Sequence, residues 1–214
     1  MNFQNLLEPD YLIALAILLL TSFPVHEWAH AWAAYQLGDD TAALQGRLTL
    51  NPLAHIDPIG TISMIFFGFG WGKPVPVSPY RLRGNRRASW ALVSFAGPFS
   101  NFLMAMLAAI PFRMRWVSVY QGNFSLISLP GILLQFIVIN LSLMIFNLIP
   151  FPPLDGSRIL AWLLPASWAN VMDQLEQFGG IGLMLLLFLL SRVGFFGMVV
   201  RPVLGVMLHG LLFY

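Results

Sequence analysis

Phe23-Pro24-Val25-His26-Glu27-Trp28-Ala29-His30 is an HExxH motif near the end of an apolar run that starts at Tyr11. On a helix, residues i and i+4 fall on nearly the same face, so His26 and His30 can share one metal ion. Glu27 is offset by about a third of a turn, where its carboxylate reaches a water instead of the metal. Two imidazoles and a carboxylate inside a would-be membrane helix are costly to bury and need a purpose. The stretch therefore points to zinc-dependent hydrolysis inside a bilayer.

The rest of the composition agrees with a membrane setting. Of 214 residues, 58% are hydrophobic and 9% charged, against roughly a quarter charged in a soluble domain. The net charge is +2 and the basic residues gather in one loop, which argues against a nucleic-acid partner and for a topology signal. There is no cysteine. Disulfides, thiol catalysis and thiolate ligands are excluded, so any metal is held by His, Asp or Glu. The first ten residues carry Glu8 and Asp10 and no Lys or Arg, unlike a cleaved signal peptide.

Tyr11 to about Tyr35 is long enough to span, at roughly 20 residues per crossing. Pro24 lacks an N–H and predicts a kink just before His26. Thr41 to Leu50 reads as a strand, and Lys73 to Ser78, with its Lys-Pro-Val-Pro-Val-Ser pattern, suits an extended edge strand. Ile59 to Phe69 is apolar but about half a spanning length, so it reads as short or re-entrant. Lys73, Arg81, Arg83, Arg86 and Arg87 mark a cytoplasmic loop. Ala88 to about Phe112 then runs outward and Gly131 to Ile149 returns, delivering Pro150-Phe-Pro-Pro-Leu-Asp155-Gly156. Ser167 to Phe178 reads as a surface helix, and Gly179 to Tyr214 holds one or two further spans.

The expected fold is thus an all-α polytopic membrane protein: a bundle of about five to six transmembrane or re-entrant helices with a small membrane-associated β element. Residues 1–214 form a single domain, with a core of about 11–164 and C-terminal helices over about 166–214. If Ile59 to Phe69 does not cross, the first span and the Gly131 to Ile149 span point the same way. Their polar ends, HEWAH and PPLDG, then lie at one depth near the cytoplasmic face, as a shared metal site requires.

A catalytic zinc has three protein ligands and a position left for water. Two His leave one ligand to find, and Asp155, His55, Asp57 and His209 are the candidates. Asp155 follows a Pro-rich break, and Gly156 after it allows close backbone approach. Against a functional reading, Asp155 could cap a helix, His55 and Asp57 could simply make a turn, and Asn101, Asn140 and Asn147 could glue helices together. Gly97-Pro98 reads as a packing kink.

Taken together, His26-Glu27-x-x-His30, Asn51-Pro-x-x-His55-Ile-Asp57-Pro-x-Gly60, Gly97-Pro98-x-x-Asn101 and Asn147-x-x-Pro150-x-x-Pro153-Leu-Asp155-Gly156 resemble the site-2 protease family of intramembrane zinc metalloproteases. The likeness runs from about Tyr11 to Arg158 and is to the compact branch, without PDZ or CBS domains. It implies one zinc ion held by His26, His30 and Asp155, with Glu27 as catalytic base. It also implies that Asn147 steadies substrate or oxyanion, and leaves His55 and Asp57 as candidates for a substrate-side or ligand-supporting role. The implied partners are membrane-anchored protein substrates and the lipid bilayer, with a multi-pass protein in the cytoplasmic membrane. A metal transporter or sensor using the same ligands is the rival from another class, and Glu27 discriminates because a transporter has no need of a base there.

Overall fold

The computed structural model describes residues 9–67, 70–118, 127–165, 174–175, 177 and 179–212. Proline shapes the first span. Helix α1 (Pro9–Ile17) runs into a π turn over Leu18–Ser22, which leads into α2 (Phe23–Gln36). Pro24 has no N–H for the Leu20 carbonyl, and the ladder adjusts by one residue: the Phe23 N–H bonds to the Leu18 carbonyl, five residues back. The expected kink is therefore a π bulge, immediately before His26. Tyr11–Gln36 remains long and apolar enough to cross a bilayer.

Two more helices meet that condition, α6 (Arg86–Arg113) and α7 (Leu129–Asn147). Asn85 caps α6 by accepting from the Arg87 and Ala88 N–H groups, and Ser128 caps α7 by accepting from Gly131. Helix α6 is the hub, packed against α2, α7 and the short α8 (Asp155–Leu163). Ala105 and Ala109 of α6 are fully buried against Ile137 and Leu141 of α7. Small side chains let the two backbones approach, which is how helices associate where lipid supplies no hydrophobic drive. Toward the basic loop, Val93 packs with Ala34 and Leu82.

Short elements fill the connections: α3 (Thr41–Leu44), α4 (Pro52–His55) and α5 (Pro58–Phe67). Helix α5 has ten residues, about 15 Å of rise, half the thickness of the hydrocarbon layer. After α8 come α9 (Gly179–Arg192), a second π turn (Phe196–Val200) and α10 (Arg201–Leu212). Leu185–Arg192 and Gly197–Leu212 are bent by 69° and make a fourth span only if counted as one. Among the described residues the architecture is thus all-helical, with three helices long and apolar enough to span, or four if the bent pair counts as one. The expected surface helix over Ser167 to Phe178 lies almost wholly outside the described residues.

The expected β element needs correction, since the described residues contain no strand. Thr41 to Leu50 begins with the helical turn of α3, because Asp39 occupies the polar groups of Thr41 that a ladder would need. The buried Asp39 carboxylate accepts from both the main-chain N–H and the hydroxyl of Thr41, and such local bonds compete with a ladder. Lys73 to Ser78 lacks a partner strand. It is pinned at its ends: the Lys73 N–H donates to the His55 carbonyl at 2.8 Å, and the Ser78 N–H to Asp39 Oδ2 at 2.6 Å.

Candidate metal centre

His26 and His30 of α2 face α6, and two glycines set how closely other elements approach them. At Gly97 a Cβ would lie 2.3 Å from His30 Nε2 and 2.7 Å from His26 Cε1, so α6 can press on both rings only because that side chain is missing. At Gly156 a Cβ would lie 2.3 Å from the Leu148 carbonyl oxygen, so α8 can fold back over the end of α7. The other end of α8 is held from α6, where Arg87 Nη2 donates to the Ala161 and Leu164 carbonyls. Anchored at both ends, α8 presents Asp155 to the imidazoles.

The result is a compact trio. Asp155 Oδ2 lies 3.2 Å from His26 Nε2 and 3.3 Å from His30 Nε2, and the two Nε2 atoms are 3.0 Å apart. Among the described residues this is the one group of three or more such side chains with donor atoms within 4.8 Å of one another. Both rings are buried and their Nδ1 atoms face acceptors: the Val93 carbonyl at 2.7 Å for His30 and the Asn101 amide oxygen at 2.6 Å for His26. Their protons therefore sit on Nδ1, and the 3.0 Å Nε2 contact is two lone pairs and not a hydrogen bond. Asp155 Oδ2 is buried and receives no hydrogen bond. Three converging electron-pair donors with no proton among them are unfavourable unless a cation sits between them. Two nitrogens and one carboxylate oxygen suit zinc with a coordination position left open.

Beside the trio is a cavity of about 320 Å³, with Glu27, Asn147 and Arg158 on its walls. Glu27 follows His26 directly on α2 and is nearly buried. Asn147 ends α7 and uses one N–H on the Leu143 carbonyl at 3.0 Å. Pro74, Val75 and Val77 form another wall, so the pinned Lys73–Ser78 segment passes the metal centre.

Of the other ligand candidates, His55 and Asp57 do not reach this cavity. His55 is fully buried with Nε2 on the Thr49 carbonyl at 2.8 Å, and Asp57 Oδ1 accepts from the Gly60 N–H at 2.8 Å. Both shape the loop that carries Lys73. His209 is on α10, outside the trio. Sequence reasoning missed three contributors. Asn101 read as helix glue, Gly97 as a kink, and Arg47 not at all, although its buried guanidinium donates to the Lys73 carbonyl. Arg158 is a further wall residue, stacked over Trp90 at 3.9 Å.

A helical membrane protein that closes an HExxH pair with a carboxylate from a later helix falls in the class of membrane metallopeptidases. The profile of Peptidase family M50 matches residues 114–190, the stretch containing Asp155. The chain is 46% identical over 171 residues to "Putative zinc metalloprotease YwhC" of Bacillus subtilis (strain 168), covering 78% of this chain and 76% of that protein. It is 29% identical over 187 residues to "Putative zinc metalloprotease Rip2" of Mycobacterium tuberculosis (strain ATCC 25618 / H37Rv), covering 84% of this chain and 69% of the relative. No solved structure matches. The chain belongs to Peptidase family M50, the site-2 proteases, and is a zinc metalloprotease with a multi-pass membrane architecture.

Proposed function

We infer that the enzyme cleaves peptide bonds within or near transmembrane segments of membrane-anchored proteins, as in regulated intramembrane proteolysis. The observation that carries this reading is the position of the trio and Glu27, at a cavity built by membrane-spanning helices. A substrate reaching it laterally would be a membrane segment itself. The basic loop of Lys73, Arg81, Arg83, Arg86 and Arg87 supports a position of the cavity near the cytoplasmic face of the cytoplasmic membrane. In this topology α5 is re-entrant, and residues 1–214 act as one protease domain.

His26, His30 and Asp155 would hold the ion, and zinc bound there would supply Lewis acidity toward the scissile carbonyl and the attacking water. Glu27 takes the water's proton and returns it to the leaving amine. The second N–H of the Asn147 amide is available to the carbonyl oxygen as negative charge develops there. A transmembrane helix hides its carbonyls in its own hydrogen bonds, so the substrate must unwind locally. The N–H groups of Val75 and Val77 have no partner among the described residues, and Pro74 and Pro76 have none to offer. An unwound substrate strand pairing there would exchange helical bonds for edge bonds next to the ion.

The test is cleavage of a purified transmembrane substrate by wild type, Glu27→Gln and Asp155→Ala in detergent, with zinc measured on each protein. Glu27→Gln should retain zinc and lose cleavage, and Asp155→Ala should lose both. Full zinc and full activity in Asp155→Ala would remove the ligand assignment. Cleavage of soluble peptides but no membrane segment would remove the intramembrane reading.

A further inference from the structure

Below the metal centre, three spans meet in a set of buried polar side chains that the protease reading leaves unused. Ser22 in the π turn, Asn101 of α6 and Asn140 of α7 are each fully buried. Asn101 accepts from His26 Nδ1 at 2.6 Å and donates to Asn140 Oδ1 at 2.9 Å and to the Ser22 carbonyl at 3.4 Å. Asn140 donates to the Ser22 hydroxyl and to the Phe136 carbonyl, each at 2.9 Å. Every amide hydrogen of the pair has an acceptor.

The direction of these bonds can be deduced. A main-chain carbonyl cannot donate, so the Asn140 atom facing Phe136 must be its NH₂ group, and its oxygen must face Asn101. Two acceptors, Asn140 Oδ1 and the Ser22 carbonyl, then require the Asn101 NH₂ group on their side. The Asn101 oxygen is left facing His26, and only a proton on Nδ1 satisfies it. A reversed Asn101 would confront two oxygens with a third, in a site where water cannot help. The order of contacts also fits antiparallel helices, with His30 against Val93 and His26 against Asn101.

We propose that Asn101 is a positioning residue that fixes the tautomer of His26, with Asn140 and Ser22 holding the Asn101 amide in the one orientation that does so. The inference rests on the zinc reading above and adds that the affinity for zinc is set partly from α6 and α7. Groups that hold the far nitrogen of a metal-bound histidine commonly change metal affinity about 10–100-fold when removed. Ser22 is brought to the pair by the π bulge, which ties that irregularity to the site.

Asn101 and Asn140 form the same number of side-chain hydrogen bonds and are equally buried, so plain helix glue predicts equal consequences for the two. The experiment titrates the full-length protein with zinc against a competing chelator, for wild type, Asn101→Leu and Asn140→Leu. Thermal unfolding of each metal-free protein is followed alongside. Asn101→Leu should bind zinc about 10–100-fold more weakly and Asn140→Leu only a few-fold, with similar losses of metal-free stability. Equal losses of zinc affinity would reduce Asn101 to glue and overturn the proposal.

A second measurement needs neither variant to fold. Histidine ¹⁵N spectra of the metal-free wild type at alkaline pH, with His26 assigned by its absence in His26→Gln, should show the proton on Nδ1. A proton on Nε2 overturns the proposal. Failure of the zinc reading looks different, since wild type itself would then bind no zinc.

Discussion

The two sides of the metal centre are built on opposite terms. On the α2–α6 side, His26 and His30 are buried, both Nδ1 atoms are bonded, and Gly97 leaves no space behind the rings. On the Lys73–Ser78 side, the backbone is anchored at its two ends and carries N–H groups between them with no partner among the described residues. The first side is closed by packing, and the second is open along its backbone. Under the proposed function the first side would retain the metal and the second would receive substrate, and mutations should separate the two. The largest effect belongs to Gly97→Ala. Its Cβ would sit 2.3 Å from His30 Nε2, and the ring cannot yield while Val93 holds its other nitrogen. We expect loss of both zinc and cleavage, by metal analysis and substrate assay; a zinc-loaded, active Gly97→Ala protein would break the division.

Glu27 lies at the boundary and sharpens it. The residue is on the packed helix, yet its carboxylate borders the cavity and is no member of the trio. Glu27→Gln keeps the volume and removes the carboxylate proposed as base, so cleavage should fall by about 10²–10⁴-fold. Zinc content should not change. A matching loss of zinc would make Glu27 part of the metal-holding side.

The same division explains what could be read from the chain before its structure. HEWAH was legible because i and i+4 on a helix is a local rule, and Asp155 was legible as a candidate because counting crossings placed it at the same depth. Choosing it over His55, Asp57 and His209 needed the resemblance, and the 3.2 Å approach to His26 needed coordinates. Asn101 was illegible for a physical reason: an amide in a membrane helix usually bonds a neighbouring helix, and only tertiary packing decides which atom it meets. The strand expected at Thr41 to Leu50 failed through a competition. Pattern favoured β, but Asp39 captured the Thr41 N–H and hydroxyl first. Lys73 to Ser78 was expected to be a strand edge, and among the described residues no strand pairs with it; under the proposed function a substrate would.

Smaller effects should come from that open side. Val75→Pro removes one unpaired N–H while leaving the anchors at Lys73 and Ser78 in place. A hydrogen bond is worth about 0.5–1.5 kcal/mol net, so kcat/KM on a transmembrane substrate should fall about 3–10-fold, with zinc affinity unchanged. Reduced zinc would show that the segment supports the ligands. Unchanged cleavage would show that substrate does not pair at that residue.

Asp57 should give the smallest effect. Its carboxylate accepts from the Gly60 N–H and its carbonyl from Thr61, at the first turn of α5, which is the work of a helix-capping side chain. Removing such a cap costs about 1 kcal/mol. Asp57→Ala should therefore lower thermal stability slightly while zinc affinity and cleavage stay within about twofold, an energy below 0.5 kcal/mol. The turn it caps leads from His55, whose carbonyl holds Lys73, so any catalytic effect should resemble that of Val75→Pro and not that of Gly97→Ala. A large loss of cleavage with intact zinc would instead bring Asp57 to the substrate, and the open side of the site would then extend from Lys73–Ser78 to the start of α5.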